Sequence, residues 1–441
     1  MVKPTSKSNS TASGLKINIS HSFVVKALHV GLNLFLIRFI IGASNEENYG
    51  FWLTFLSVFT LFSCIEVGLN NGFRKAITSS FETKDSVEYK STIREMFSQS
   101  IVHYFGVFII VGLAILLLPI DELFSISFIS EIDLKLTLIL CLLLFCAHFV
   151  FFSINTILLS IHRAKDSYIL FFLQSLVQMI GIFLLSHFYT EIKLIPLCIA
   201  MSLGPIVTWA AAFLFYRRSV LSDLKPHFFF RNWKSRLISD KATSRFFLLQ
   251  LGLLLLLSTD NLLIMRLISP SEVTAYQVAL RYFNILLVVF NIILVPFWSA
   301  FTKEHLLNSM DWISKKLFQL FLIWLLLAIG AILMLVVSDF AYQLWIGSSL
   351  GISLMLSSVV ALYTLQTLWV SMFSYYLYAI EKLSMLTKFY LLAALMNIPL
   401  SYWLSVEYEV AGIIGASLIS LLPLSVYLPM ECKKELAQSY E

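Results

Sequence analysis

Long apolar runs dominate the chain, and short polar segments interrupt them at near-regular intervals. A bilayer crossing by a helix needs roughly 20 mostly apolar residues. Twelve such runs follow one another, at about 22–41, 49–69, 97–119, 136–161, 168–189, 193–216, 246–268, 273–298, 316–337, 352–380, 384–404 and 409–429. None has the short period-2 alternation of a membrane β-strand, so the pattern predicts helices throughout. The run at 352–380 is long for one crossing and is read as tilted or broken. Residues 1–21 are polar and rich in Ser and Thr, without the apolar core and small-residue cleavage site of a secretory signal. They read as a cytoplasmic tail, and residues 430–441 as a second one.

Lysine and arginine test this count independently, because cytoplasmic loops of membrane proteins hold most of the positive charge. With the N-terminus inside, the tails, the even-numbered loops and the run edges beside them carry all but five of the 31 cations. Lys135 and Lys193 fall in outer loops, and Arg38, Arg266 and Arg281 fall inside runs. The outer loops hold carboxylates instead, among them Glu46, Asp121, Glu131 and Glu407. A miscounted run would scramble this alternation. The pattern therefore predicts an all-α polytopic membrane protein of twelve transmembrane helices with both ends cytoplasmic.

Composition agrees. The chain is 59% hydrophobic and 13% charged, about half the charge of a soluble domain, with mean hydropathy +0.85. The basic pI near 8.8 reflects orientation rather than nucleic-acid binding. Of five cysteines, Cys64, Cys141, Cys146 and Cys198 lie in apolar runs and Cys432 in the tail. Their spacing suits neither a metal site nor a disulfide framework.

The most basic loop, 217–245, separates six runs from six. It is the expected linker between an N-terminal lobe at 22–216 and a C-terminal lobe at 246–429. Two pairs of phrases support a repeat: LIRFIIGASNEENYG with LIMRLISPSEVTAYQ, and LLSIHRAKDSYILFF with LYAIEKLSMLTKFYL. Two six-helix lobes in the same orientation predict parallel repeats about an axis along the membrane normal, with a central cavity between them.

Charged side chains inside the runs are Arg38, Glu66, Asp260, Arg266 and Arg281. Each costs about 2.5–3.5 kcal/mol at a helix centre, so each is expected to face a cavity or a partner. Arg281 lies roughly 12 Å into the eighth run at 1.5 Å per residue, too deep to snorkel easily. Gln277, Arg281, Asn284 and Asn291 form one polar stripe on an otherwise apolar helix. The stripe reads as a cavity wall that binds an anion, or Arg281 as a structural partner of Asp260. Asp260, beside Asn261, reads either as a coupling site for H+ or Na+ or as the partner of Arg281 or Arg266. Arg38 and Arg266 lie within a turn of the outer ends, where snorkelling explains them, although their matched places in the two lobes also suit a binding role. His29 with Asn33, and Gln174 with Gln178, suit either a cavity lining or interhelical hydrogen bonds. Trp52, Trp298, Trp345, Trp369 and Trp403 read as interfacial anchors. No phosphate-binding loop, catalytic triad or metal-ligand cluster is present, so neither an enzyme nor a resident cofactor is expected.

One phrase stands apart: IEVGLNNGFRKAI at 65–77. Gly68 and Gly72 form a G-x-x-x-G that permits close helix approach, Asn70 and Asn71 suit a helix end, and Arg74 and Lys75 fix the cytoplasmic side. Glu66 lies about two turns from Arg74, placed to pair with a loop cation. With the start of its run the phrase reads YGFWLTFLSVFTLFSCIEVGLNNGFRKAI. It resembles the bacterial O-antigen and polysaccharide flippases (the Wzx group) of the multidrug/oligosaccharidyl-lipid/polysaccharide exporter superfamily. STDNLLIMRLISPSEVTAYQVALRYF and NIPLSYWLSVEYEVAGIIGASLIS resemble later stretches of that family, so the resemblance covers about 22–430. Glu66 stands where the family has aspartate, Asn70 where it has glycine, and Glu381-Lys382 where Gly-Lys is common. These departures leave the substrate open.

The resemblance implies a flippase of the bacterial inner membrane. It would move an undecaprenyl-pyrophosphate-linked oligosaccharide, an O-antigen or related unit of lipopolysaccharide biosynthesis, from the cytoplasmic to the periplasmic leaflet by alternating access. Arg281, with Arg38 and Arg266, would supply guanidinium forks for the pyrophosphate. Its partners would be the lipid-linked glycan, membrane lipid, and a polymerase and chain-length regulator of the pathway. An ion-coupled small-molecule antiporter of the same superfamily is the rival, but cationic drugs favour acidic cavities. A membrane polysaccharide polymerase fits less well, since the outer loops here are short.

Overall fold

The computed structural model describes residues 7–120, 130–217, 241–347, 350–380 and 382–438, without the side chains of 7–24, 67–72, 75, 241–246, 299 and 438. Among the described residues every regular element is an α-helix. In chain order these are α1 (Lys7–Ala43), α2 (Glu46–Leu61), α3 (Ser63–Glu82), α4 (Ser86–Leu117), α5 (Glu131–Ser160), α6 (Ala164–Phe188) and α7 (Leu194–Tyr216). Then come α8 (Lys241–Leu267), α9 (Pro270–Leu306), α10 (Met310–Val336), α11 (Ser338–Ile346), α12 (Leu354–Ala379) and α13 (Ser384–Gln438). Among the described residues eleven helical stretches are long and apolar enough to cross a bilayer. The last, α13, is two crossings merged, because Glu409 breaks it with φ 49° and ψ −129°. Gly412 sits in that bend, where a Cβ would meet the Leu404 carbonyl oxygen at 2.2 Å. The protein is thus an all-α, multi-pass membrane protein, and the run at 352–380 is one helix.

The helix ends follow local chemistry. Asp85 caps α4 by accepting from the Val87 and Glu88 amides at 3.0 and 2.9 Å. Ser269 caps α9, whose first residue is Pro270. Three turns share a left-handed residue that need not be glycine: Lys84, His162 and Asn308. In each, the next amide reaches back to a carbonyl five residues earlier: Asp85 to Ser80, Arg163 to Leu158, and Ser309 to Glu304, at 2.8–3.0 Å. This wrap satisfies carbonyls that a helix end leaves bare, and it reverses the chain in very few residues.

Two compact units emerge, and they do not split where the basic linker predicts. Residues 1–45 and 65–244 form the first, and 46–64 with 245–441 the second. The second run, α2, which the sequence assigns to the N-terminal lobe, therefore belongs with the C-terminal helices. The cause is local. Gly50 presents no side chain to α9, and a Cβ there would lie 1.7 Å from the Pro270 carbonyl oxygen. The Thr274 hydroxyl donates to the Glu46 carbonyl at 2.6 Å. Most of the basic linker lies outside the described residues.

In the first unit, α1 packs on α6, α6 and α5 on α7, and α4 on α5. Trp209 is fully buried at its centre and donates to Gln174 Oε1 at 2.8 Å. Gln178 donates to the Met201 carbonyl at 2.9 Å, and Ser175 reaches His29 and Asn33 at 3.3 and 3.4 Å. These groups make interhelical hydrogen bonds. A second correction concerns 65–77: the backbone stays helical to Glu82, so Asn70 and Asn71 do not end a helix. Phe73 and Ile77 are fully buried against Ile93, Met96 and Ile157, which holds this extension in place. The side chains of the G-x-x-x-G lie outside the described residues. Trp52 is likewise no interfacial anchor, being 4% exposed.

In the second unit α9 packs against α2, α10 and α12, and α12 against α10 and α13. Close packing at Gly50 gives a direct check. Gly50→Ala forces α2 and α9 apart, an overpacking cost of about 1–3 kcal/mol. Gly106, where an added methyl would meet nothing within 4 Å, tolerates the same change. Thermal unfolding in detergent is expected to fall by several degrees for Gly50→Ala and to stay unchanged for Gly106→Ala. Equal melting of both would refute the tight α2–α9 approach.

Candidate functional site

The second unit contains a cavity of about 350 Å³ between α2, α8, α9 and α12. The stripe read from sequence forms one wall: Gln277, Arg281 and Asn284, at spacings of four and three on α9. Ser57 and Thr60 come from α2, Asn261 from α8, and Tyr363 and Thr367 from α12. Leucines of α2, α8 and α9 fill the space between these polar groups, and among the described residues no carboxylate lines the cavity.

A hydrogen-bond chain ties three walls together. Gln277 donates to Asn261 Oδ1 at 2.9 Å, and Asn261 donates to Ser57 Oγ at 2.6 Å. Ser57 in turn donates to the Leu53 carbonyl of its own helix at 2.9 Å. The amides are held by one another and by the walls, so their orientation is set before any ligand arrives.

Arg281 differs. Its Nε is buried and meets no hydrogen-bond partner, and no carboxylate pairs with the guanidinium among the described residues. The nearby Tyr49, 3% exposed, lies within its electrostatic reach. Every ion pair described elsewhere lies in a turn or toward a helix end, as in Lys135–Glu131, Arg163–Asp166 and Lys382–Glu435. A guanidinium offers five donors in a planar fork and cannot shed its charge. In a mostly apolar cavity it is a ready receptor for an anion.

Asp260 is not its partner. The carboxylate is fully buried, and Oδ1 accepts from Ser417 at 2.8 Å. Ser401 donates to Asn397 at 3.2 Å, and Asn397 donates to Ser417. All three bonds run toward Asp260, which is the terminal acceptor. Its Oδ2 is buried and unpartnered. The Tyr276 hydroxyl lies against the carboxylate, and Tyr363, 3% exposed, is within its electrostatic reach. Of the two readings of Asp260, pairing with Arg281 or Arg266 is not what the structure contains. The Asn397 amide and the Tyr276 hydroxyl are the further donors close to the carboxylate.

The other predicted residues lie elsewhere. Arg266 is exposed at the last turn of α8. Arg38 is exposed on α1 in the first unit, and Glu66 is half-buried in the first turn of α3, also in the first unit. Asn291 lies further along α9, outside the cavity lining, where Tyr375 reaches it at 3.5 Å. Sequence reasoning missed the Ser417–Asn397–Ser401 cluster and the hydroxyls of α2. The signal was present as Asn397 and Ser401, four apart in an apolar run, a spacing that places both on one helix face.

No family model and no curated protein matches the sequence. Solved structures do match. An inward-facing multidrug resistance MATE family transporter of the MOP superfamily superposes with a TM-score of 0.73 at 16% identity, covering 96% of this chain and 98% of that one. An outward-facing structure described in the same terms gives 0.62 at 16%, covering 96% and 95%. The lipid II flippase MurJ in an inward closed conformation gives 0.65 at 15%, covering 96% and 89%. At these identities the likeness speaks for the fold alone, and over nearly its whole length this chain has the fold of those membrane transporters.

Proposed function

We propose that this chain is an inner-membrane flippase. It carries an undecaprenyl-pyrophosphate-linked oligosaccharide, an O-antigen or related surface polysaccharide unit, from the cytoplasmic to the periplasmic leaflet by alternating access. Both termini are cytoplasmic. The observation that carries the reading is Arg281: a half-buried cation, its buried Nε without a hydrogen-bond partner, on a cavity that no described carboxylate lines. Pyrophosphate matches the guanidinium fork in charge and geometry.

Size assigns the rest of the substrate. About 350 Å³ lies at the small end of ligand sites, room for a pyrophosphate and not for a whole lipid-linked oligosaccharide. The glycan therefore extends beyond this cavity, and the polyprenyl tail stays in lipid. A lipid flippase among the structural relatives supports a lipid-linked cargo. Multidrug transporters share the fold as well, but a cationic drug would find a fixed positive charge here and no described carboxylate. The lipid-linked glycan and membrane lipid are the partners, with a polymerase and chain-length regulator acting on the delivered unit. Asp260 holds the driving ion, H+ or Na+, at its unpartnered oxygen, and a downhill gradient supplies the work.

Two outcomes check this. Arg281→Ala abolishes surface glycan display while protein level in the membrane is unchanged, and Arg281→Lys, which keeps charge but loses the fork, recovers only part of it. Normal display by Arg281→Ala would refute the anion site. In proteoliposomes, Asp260→Asn removes the dependence of transport on an imposed H+ or Na+ gradient. Wild-type gradient dependence in that variant would assign coupling elsewhere.

A further inference from the structure

The polar stripe that forms the cavity wall does not stop at Asn284. On α9 the same face continues to Asn291, Trp298 and Thr302, at spacings of seven, seven and four. On α12 the face that brings Thr367 to the cavity continues to Tyr375 and Tyr378, at spacings of eight and three. The two faces meet. Tyr375 donates to Asn291 Oδ1 at 3.5 Å, and the Trp298 ring lies 5.9 Å from that of Tyr375 and 5.6 Å from that of Tyr378, centroid to centroid. The two tyrosine rings are 6.0 Å apart. Thr302 donates to the Ala379 carbonyl at 3.3 Å, which ties the helices together just beyond the rings. Both tyrosines are half-buried, and Trp298 is 39% exposed.

We propose that Trp298, Tyr375 and Tyr378, with Asn291, form a sugar-binding subsite for the glycan of the substrate. This rests on the reading of the adjoining cavity as a pyrophosphate site. A pyranose ring carries C–H groups on its faces and hydroxyls around its rim. Indole and phenol rings match the faces, and their polar tips match the rim. The Tyr375–Asn291 bond is long for a hydroxyl donor, so both groups keep capacity for a sugar hydroxyl. Distance fits as well. Trp298 follows Arg281 by 17 residues, about 26 Å along the helix at 1.5 Å per residue. One sugar does not span that length and a chain of several does, so the rings receive a sugar distal to the pyrophosphate. In the proposed topology they lie toward the cytoplasmic end of α9, the side from which the glycan enters. Anchoring a tryptophan at the headgroups requires neither Asn291 nor continuity with the cavity stripe.

The test compares two probes on the purified full-length protein in nanodiscs. One is undecaprenyl pyrophosphate alone. The other is the undecaprenyl-pyrophosphate-linked glycan extracted from the protein's own host cells after deletion of this transporter. Trp298→Leu weakens binding of the glycan-bearing probe about 10-fold, the effect of removing an aromatic anchor, and leaves the affinity for the bare lipid unchanged. Trp298→Phe, which keeps a ring, retains most of the preference for the glycan. Tyr375→Leu is the second variant if the first folds poorly, and it shows the same split between probes. Wild-type affinity for the glycan-bearing probe in both leucine variants overturns the proposal. So does an equal loss for both probes, the result that a purely anchoring or packing role gives. Arg281→Ala weakens both probes. Wild-type affinity for the bare lipid in Arg281→Ala would instead overturn the pyrophosphate site on which the proposal rests.

Discussion

A guanidinium held in a membrane-embedded wall without a counter-charge is the constraint around which the second unit is arranged. Inserting it costs about 2.5–3.5 kcal/mol at a helix centre, and no described carboxylate offsets that cost. The surroundings explain how it is tolerated. Gln277 and Asn284 lie on the same face of α9, Asn261 and Ser57 face it across the cavity, and Tyr49 is within electrostatic reach. These groups solvate the charge partially and leave its donors free for a ligand. A cavity wall built this way is costly when empty and favourable when an anion fills it, which is the asymmetry a carrier needs.

Asp260 mirrors the arrangement with the sign reversed. A chain of three hydrogen bonds ends on one carboxylate oxygen and leaves the other bare. Had the two charges served only stability, pairing them would have been the simplest solution, since an unpaired buried charge is far more costly than a paired one. Their separation into adjoining clusters keeps both available. The tight approach of α2 to α9 at Gly50 then matters for function too, because it sets Ser57 against Asn261 and closes one side of the cavity.

Much of this was legible in the chain. Apolar run length and the one-sided distribution of lysine and arginine marked the crossings, and the spacing 277–281–284 marked the wall. Caps such as Asp85 and Ser269 follow from residue type alone. Other features depend on contacts between distant segments, which periodicity does not encode. The membership of α2 in the second unit rests on Gly50 meeting the backbone of Pro270. The Asp260 cluster joins residues 157 positions apart, and single serines in apolar runs resemble helix-packing residues. Asn70 and Asn71 misled because tertiary packing of Phe73 and Ile77 overrides weak helix propensity. Arg38 and Arg266 share matched places near the outer ends of the two lobes, yet both are exposed and depth separates them from Arg281.

The central claim is that Arg281 exists to receive the pyrophosphate of a lipid-linked glycan. A structure of the protein determined with undecaprenyl pyrophosphate bound tests it most directly. The account predicts a phosphate oxygen within hydrogen-bond distance of the Arg281 guanidinium, with the second phosphate toward Asn284 or Gln277. A head group seated away from this cavity, with Arg281 still unpartnered, would contradict it.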